Sequence, residues 1–375
     1  MPALLDDSRP RFDATELQRF TAAVFEALDV PPADAALGAE VLIDADLAGI
    51  ESHGIAHLPW HPGYAPGLQQ GLVNPTPNVA ILRDSPVAAT WDGDGGLGVV
   101  VAARAMEACI EKARSTGIGM VAVANGRHFG AAGYYAHMAA AHDMIGMAMC
   151  NVPPIAHAAG GVERVYGTNP IAMSAPVEGH HPFLLDIATT AVAGGKLEIA
   201  MRQGRPIPHG WAVDAGGNPT DEPGILRKGG ALLPLGSSLL TSSHKGYGLG
   251  LMVDILSGVL PGMGSALFAE RATLAQGQWF AAWRIDAFCD VAQFKADMRR
   301  MVEHIRSTKP LPGVPAVLIP GDPEAAARAD RSVHGVPLDG ETIDQLRTLA
   351  GQLGLDFPAA LPAGPSGAAN EPVPA

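Results

Sequence analysis

The sequence predicts an α/β fold, because apolar strands alternate with helices through the middle of the chain. The run IGMVAVAN over 118–125 has the length and Val/Ile content of a buried strand. A helix over about 131–141 follows it, and MIGMAMCN over 144–151 is a second buried strand. The strand-like VAATW over 87–91 and a helix over 99–115 precede them in the same order. The middle of the chain therefore predicts strands joined by helices.

Two helices are predicted before this region. Apolar residues recur at helical spacing from Leu17 to Leu28, with Asp13 as the N-cap, and a second helix covers about 33–48. The stretch 58–75 is rich in Pro, Gly and aromatic residues, which is typical of a linker. The N-terminal helical module is therefore predicted to span 12–75.

The remaining elements are sparser. A strand is predicted over 278–285, and amphipathic helices over 291–307 and 342–353. The central domain is predicted to span 76–310. Past residue 358 the chain is Ala, Pro, Gly and Ser, which cannot bury enough surface to fold, so 358–375 is predicted to be disordered.

Composition limits the class of protein. Hydrophobic residues make up 47% of the 375 and charged ones 17%, which suits a large core extended by a subunit interface. The net charge of −13 argues against nucleic acid or an anionic membrane as a partner. Cys109, Cys150 and Cys289 lie in apolar segments without metal spacing, and they predict core thiols of a reducing compartment. With no apolar signal core or membrane span, a cytoplasmic protein is expected.

The glycine-rich loop 126–130 contains His128 just before the helix over 131–141. Free N–H groups and the positive dipole end of a helix attract anions, so His128 is a candidate contact for a carboxylate or phosphate. Capping or packing in the loop is an equally good interpretation.

The turn GDGGLG over 93–98 has the outward form of a dinucleotide fingerprint, since it follows a strand and precedes a helix. The fingerprint also needs an acidic residue at the end of the next strand to hold the ribose. That strand ends in Val-Ala-Asn-Gly. A plain turn with a glycine at the helix start is therefore favoured.

Two charged residues stand in unusual places. Asp186 lies inside an apolar strand, where a carboxylate needs a donor, and a histidine is its natural partner. Backbone N–H groups are the alternative. Lys245 lies before an apolar helix over 249–260 and is a candidate phosphate or ribose contact, or else a solvated lysine.

Eight motifs occur in one order, and together they resemble a known family. They are Asp46-x-x-Gly49-x-x-Ser52-His53-Gly54, GDGGLG, His128-Phe129-Gly130-x-Ala132-Gly133-Tyr134, Gly167-Thr168-Asn169-Pro170, Asp186-x-Ala188-Thr189, Gly210-Trp211-Ala212, His244-Lys245-Gly246-Tyr247-Gly248 and Pro320-Gly321-x-Pro323-Glu324. The chain resembles, over about 12–357, the non-Rossmann malate/L-lactate dehydrogenase family. Sulfolactate and ureidoglycolate dehydrogenases and Δ1-piperideine-2-carboxylate reductase are relatives.

The resemblance implies a homodimer with a mostly antiparallel sheet that binds NAD or NADP without a Rossmann turn. The N- and C-terminal parts would form one helical module, with 311–357 packing back on 12–75. The implied activity is hydride transfer between the nicotinamide and a 2-hydroxy/2-oxo acid or a cyclic imino acid. A proton must move with the hydride, and imidazole titrates near neutral pH.

The resemblance also assigns residues. His53 is the proton donor or acceptor, Ser52 and Asp186 are its relay, and His128 lies at the substrate with an acid/base role. Cofactor contacts are expected from Asp186, Ile187, Ala188, His244, Lys245, Gly321, Asp322 and Pro323. Substrate contacts are expected from His57, His61, His128 and Thr168, and no metal site is expected.

The chain departs from the family pattern at two places. His57 and His61 stand where the family usually has arginine and tyrosine as a carboxylate clamp, and imidazole cannot reproduce the planar fork of arginine. Residues 237–243 form an apparent insertion before His244. A specialised reductase whose substrate lacks this carboxylate is therefore an alternative, and a non-catalytic NAD(P)-binding dimer is a second one.

Overall fold

The fold is built on a seven-stranded sheet. The computed structural model describes residues 9–268 and 274–362, and the sheet has the strand order β2-β3-β4-β12-β5-β8-β9. Its strands are β2 (Ala80–Asp84), β3 (Ala88–Asp92), β4 (Ile118–Gly126), β5 (Met144–Cys150), β8 (Ile171–Ala175), β9 (Phe183–Ile187) and β12 (Gln276–Arg284). Neighbouring strands are antiparallel except β3 and β4. The predicted α/β fold with a mostly antiparallel sheet is confirmed.

Helices cover this sheet and form its connections. They are α1 (Ala14–Glu26), α2 (Pro32–Leu47), α3 (Ala65–Gln69), α4 (Gly98–Thr116), α5 (Ala132–Ala140), α6 (Gly194–Arg202), α7 (Ser243–Asp254), α8 (Val291–Arg306), α9 (Asp322–His334) and α10 (Gly340–Leu353). Asp13 caps α1, as predicted, by accepting a hydrogen bond from the Glu16 N–H. The main core lies where α4 and α5 pack on β4, β5 and β12 and buries Phe129, Tyr135 and Phe280.

The GDGGLG turn lies inside the parallel unit β3-α4-β4, and the N–H groups of its first four residues are already bonded within the protein. The Gly93 and Gly95 N–H groups donate to the carbonyls of Ala124 and Asn125. A Cβ at Gly98 would lie 2.3 Å from the carbonyl oxygens of Arg127 and His128. The turn is thus filled by the end of β4 and the loop after it, which leaves no cradle for a pyrophosphate.

Gly98→Ala is expected to destabilise the protein by about 1–3 kcal/mol, the usual cost of overpacking. The added methyl group would push on backbone that cannot move aside cheaply. Denaturant unfolding checks the loss, and Gly351→Ala, whose Cβ would meet open space in α10, is the matched control. A variant of unchanged stability with much weaker dinucleotide binding would instead restore the fingerprint interpretation.

A smaller sheet lies beside the main one. It has the order β10-β11-β6-β7, from β6 (Ala156–His157), β7 (Arg164–Tyr166), β10 (Ala212–Val213) and β11 (Ala231–Leu232). Helix α6 packs on it through Leu197 and Ala200, which join a cluster with Tyr166. This arrangement brings the start of α6 against Ser52, since a Cβ at Gly195 would lie 2.9 Å from the Ser52 Cβ.

The two ends of the described chain meet. Strand β1 (Arg11–Phe12) pairs with β13 (Val336–Pro337), and Phe357 packs on Phe12 and Phe20 at ring-centroid distances of 5.3 and 5.2 Å. The division into 12–75, 76–310 and 311–357 stays a prediction. The Leu361 N–H donates to the Arg11 carbonyl, so the start of the predicted disordered tail is held in place. Residues 363–375 of that tail lie outside the described residues.

Three details of the sequence interpretation are wrong. Helix α7 begins at Ser243 rather than at 249, so His244 and Lys245 lie in its first turn. Helix α9 was not predicted, because Val333 is its only large apolar residue and its other apolar residues are mostly alanines. Cys289 is exposed, whereas Cys109 and Cys150 are buried as predicted. Across the ranges that the structure describes, helices long and apolar enough to cross a membrane are absent.

Candidate active site

Four histidines gather beside Tyr64, between the N-terminal helices and the loop that precedes α5. They are His53, His57, His61 and His128, and their ring centroids lie 4.3–5.7 Å apart in the five pairs that touch. Tyr64 packs against three of them. Sequence positions as far apart as 53 and 128 thus form one cluster, which we call the histidine pocket.

The Ser52–His53 pair lies on a short 3-10 turn after α2. The Ser52 Oγ is 2.9 Å from the His53 Nδ1, so the hydroxyl fixes the orientation of the ring and leaves Nε2 for a ligand. Burial lowers the pKa of His53 to about 4, and the ring is therefore neutral at physiological pH. A neutral, oriented imidazole is suited to accept a proton from a hydroxyl group.

The turn is held from below by Asp46. Its Oδ2 accepts a 2.7 Å hydrogen bond from the Ile55 N–H, and a Cβ at Gly54 would lie 2.0 Å from the Asp46 Oδ1. Only glycine at position 54 allows this approach. Burial raises the pKa of Asp46 to about 7. The spacing of the Asp46 to Gly54 motif is thus explained by one buried carboxyl that shapes the Ser-His turn.

His128 faces His53 across the pocket, with nearly parallel rings whose centroids are 5.7 Å apart. Its Nδ1 lies 2.7 Å from the Tyr64 hydroxyl. Burial and the neighbouring histidines lower its pKa well below the usual 6.5. Tyr64 was missed by sequence reasoning, because it lies in a stretch that was interpreted as a linker.

His57 and His61 complete the pocket, and both are neutral. Burial lowers the pKa of His61 to about 4 and that of His57 well below 6.5. The His61 Nδ1 accepts a hydrogen bond from the Gly63 N–H at 3.0 Å. The His57 Nδ1 is buried without a hydrogen-bond partner in the described chain. The arginine and tyrosine of the usual clamp are therefore replaced by neutral donors and acceptors, not by cations.

A cation lies at the edge of the pocket. Trp60 packs edge-on to His57 with ring centroids 4.9 Å apart, and the Arg202 guanidinium of α6 lies 5.8 Å from the Trp60 ring. The nearest carboxylate oxygen in an ion pair with Arg202 belongs to Glu341, at 3.9 Å. This long pair leaves most donors of Arg202 available. Sequence reasoning missed Arg202, because nothing local relates α6 to the Ser-His turn.

Asp186 does not bond a histidine in the described residues, which corrects the predicted partner. Its Oδ2 accepts a 2.7 Å hydrogen bond from the Gly133 N–H at the start of α5. Burial raises its pKa to about 6. The relay from His53 to Asp186 is therefore absent from this geometry, and the alternative of a backbone N–H donor is correct.

Two of the predicted cofactor segments lie side by side. The Leu184 N–H of β9 donates to the Pro320 carbonyl at 3.1 Å, so the 320–323 loop runs along the strand that ends at Ile187 and Ala188. The Asp322 carboxylate holds this loop by accepting from the Ile319 N–H and from Arg306. Its side chain is thus engaged in the protein, while Gly321 lies against the backbone of Pro182 and Leu184 at the start of β9.

The third predicted segment is the first turn of α7. His244 and Lys245 are exposed there, and no side chain caps the helix. The Ser243 and Lys245 N–H groups already donate to the Ser238 and Ser242 carbonyls. The exposed Lys245 ammonium is therefore the group of this turn that is available to an anion. Thr168 does not join the histidine pocket. Its carbonyl accepts hydrogen bonds from the Thr189 N–H and hydroxyl just beyond β9.

The described residues were compared with the arrangements of side chains that bind metal ions. Within 9–268 and 274–362, no three or more His, Cys, Asp or Glu side chains are arranged to hold a metal ion. The histidine pocket thus offers proton transfer and hydrogen bonding.

Comparison with known proteins gives one class. The malate/L-lactate dehydrogenase family model matches residues 12–347. A malate dehydrogenase of Pyrococcus abyssi is 42% identical, over 94% of this chain and 97% of its own. An L-sulfolactate dehydrogenase of Methanocaldococcus jannaschii is 38% identical, over 89% and 94%. The crystal structure of a malate dehydrogenase from Entamoeba histolytica aligns with a TM-score of 0.90 at 29% identity, covering 94% and 100%.

The fold and these relatives define an oxidoreductase of the dehydrogenase class. More particularly, the chain belongs to the malate/L-lactate dehydrogenase family. The resemblance drawn from the eight motifs is therefore confirmed. The alternative of a non-catalytic dimer finds no support among these relatives, which are named as enzymes.

Proposed function

We propose that the protein transfers a hydride between NAD or NADP and a 2-hydroxy/2-oxo acid, with His53 moving the proton. The observation that carries this is the Ser52–His53 pair facing His128 in one pocket. The nicotinamide, when bound, supplies or accepts the hydride. His53 then takes the hydroxyl proton in oxidation and returns it in reduction, while Ser52 holds its ring and His128 with Tyr64 orients the substrate oxygen.

The pocket also bears on the substrate. The relatives are named for malate and sulfolactate, which are 2-hydroxy acids with a second anionic group. In this chain the neutral His57 and His61 would donate hydrogen bonds to the substrate, and Arg202 would supply the positive charge at the edge. An anion in the pocket would also raise the pKa of the histidines towards neutrality.

A specialised reductase remains the second candidate, because His57 and His61 replace the usual clamp. Its substrate would be a cyclic imino acid or an acid without the clamped carboxylate. Turnover of 2-oxo mono- and dicarboxylates and of cyclic imino acids, each with NADH and with NADPH, separates the two candidates. Fastest turnover of a dicarboxylate supports the first. Activity confined to cyclic imines overturns it.

The cofactor is proposed to lie along Asp186, Ile187 and Ala188, against Gly321 to Pro323 and the first turn of α7. The adjacency of β9 and the 320–323 loop supports this, and so do the exposed side chains of His244 and Lys245 in the first turn of α7. The backbone at these places, rather than the engaged side chains of Asp186 and Asp322, would contact the dinucleotide.

Lys245→Ala is expected to weaken cofactor binding roughly tenfold, the scale of one charge-assisted phosphate contact. The loss should shrink with added salt, because the contact is an exposed ion pair. Titration of NADH or NADPH by nicotinamide fluorescence checks both. Lys309→Ala, a change of the same type beyond α8, is the control. Equal affinities of the two variants would remove Lys245 from the site.

A homodimer is proposed as well. The exposed apolar side chains on α7 and the turn after it support a buried partner surface, namely Leu251, Met252, Ile255, Val259 and Leu260. Such a patch is rare on a monomer and typical of an interface. A cytoplasmic location stays a prediction from the sequence.

A further inference from the structure

We propose that Arg331, near the C-terminal end of α9, is a positioning residue for His53. It would hold the loop of the catalytic histidine, although it lies 278 positions away along the chain. This inference rests on the proposed role of His53, and its test separates the two.

Arg331 reaches the loop through two hydrogen bonds. It is 2% exposed, its Nη1 donates to the Asp46 carbonyl at 2.5 Å, and its Nη2 donates to the Glu51 Oε1 at 2.6 Å. Asp46 lies in the last turn of α2, and Glu51 directly precedes Ser52. The guanidinium therefore spans both ends of the segment that turns into the Ser-His pair.

Glu51 is held from a second side as well. Arg9 donates to both oxygens of its carboxylate, each at 3.0 Å. The carboxylate thus lies between two guanidinium groups, one from each end of the chain. The two-point contact with Arg9 fixes the plane of the carboxylate, and the single hydrogen bond from Arg331 holds it from the other side. Position 52 follows this fixed residue, so the Ser52 hydroxyl and the His53 ring have little freedom to shift.

Asp46 completes the support from inside the loop. The same residue offers its carbonyl to Arg331 and its Oδ2 to the Ile55 N–H. These hydrogen bonds hold residues 46–55 together as one unit, from which His53 faces the histidine pocket. Helix α9 contacts this unit through Arg331 and supports it.

A surface pair between the same two helices provides the contrast. Arg328, one turn earlier on α9, is partly exposed and pairs with Asp44 of α2 at 2.9 Å. It joins α9 to α2 but does not touch the Ser-His turn. A structural link between helices alone would need only such a pair. The buried Arg331 adds contacts that end on the loop itself.

The experiment compares Arg331→Met, Arg331→Lys and Glu51→Gln with the control Arg328→Met. We expect Arg331→Met to lower kcat by about 10²-fold, since misplacing a catalytic group by about 1 Å has that effect. The KM for the nicotinamide cofactor should stay within about threefold of wild type, because Arg331 lies away from the proposed cofactor strand. Arg331→Lys should recover part of kcat, since an ammonium can keep one of the two contacts.

A pH profile of kcat distinguishes positioning from a loss of folded protein. A displaced His53 is less buried, so the acid limb should move to higher pH in Arg331→Met and not in Arg328→Met. Glu51→Gln keeps the size of the side chain and should lower kcat about tenfold. This variant replaces Arg331→Met in the test if Arg331→Met does not fold. Circular dichroism at the assay temperature confirms that each variant is folded.

The inference is overturned if folded Arg331→Met, or Glu51→Gln in its place, keeps kcat and the pH profile of wild type while His53→Ala is inactive. An active His53→Ala would instead overturn the proposed role of His53.

Discussion

His53→Ala is expected to lower kcat by about 10²-fold or more, the usual scale for the loss of a general acid/base. The variant removes the imidazole that Ser52 orients toward the pocket. Cofactor affinity should be nearly unchanged, because the turn lies apart from β9 and α7. Steady-state kinetics with a cofactor titration measures both quantities.

Two further variants calibrate this result. Ser52→Ala should have the smaller effect, since the hydroxyl orients the ring but transfers no proton to the substrate. His142→Ala, an exposed histidine just beyond α5, should leave kcat within about twofold of wild type. Wild-type turnover by His53→Ala would transfer the acid/base role to another group, with His128 as the first to examine.

The histidine pocket should make the protein unstable in mild acid. The unfolded chain takes up protons on its imidazoles as the pH falls through about 6.5. The folded pocket resists them, since burial lowers the pKa of His53 and of His61 to about 4 and lowers the pKa of His57 and of His128 well below 6.5. This stabilisation is complete above pH 6.5 and is lost as the pH falls towards 4.

Two buried carboxyls act in the opposite direction. Asp46 and Asp186, whose pKa values are raised to about 7 and about 6, bind protons in the folded state before the unfolded chain does. With four imidazoles and two carboxyls, the unfolded state binds at most about two protons more than the folded state between pH 6 and 5. The free energy of unfolding therefore falls by at most about 2.7 kcal/mol per pH unit in this range. Partial solvent exposure of the pocket lowers this limit.

Denaturant unfolding at pH 7, 6 and 5 measures the slope. His57→Gln should flatten it by up to about 1.4 kcal/mol per pH unit, the contribution of one imidazole. His209→Gln, at an exposed turn, is the control and should leave the slope unchanged. A free energy of unfolding that does not change from pH 7 to 5 would mean that the pocket holds protonated histidines.

The elements were predictable where the pattern is local. Strands β4 and β5, the helices α4 and α5 and the Asp13 cap follow from apolar periodicity and capping chemistry within a few residues. Helix α9 was not, because its apolar residues are mostly alanines and it is held by ion pairs with Asp44 and Glu51, which lie far away in the sequence. The start of α7 was misplaced, since glycines at 246, 248 and 250 make a helix there unfavourable by propensity alone.

The sequence by itself determined the family, the Ser-His pair and the motif residues, because these depend on the order of residue types along the chain. The tertiary structure alone decided which residues meet. It gave Asp186 a backbone partner instead of a histidine, made four histidines neutral by burying them together, and brought Arg331 onto Glu51. The physical reason is that the burial and the hydrogen-bond partners of a side chain depend on segments that are distant in the sequence. Burial and partners shift the pKa of a group, and so its charge, far more strongly than the residues next to it in the chain do.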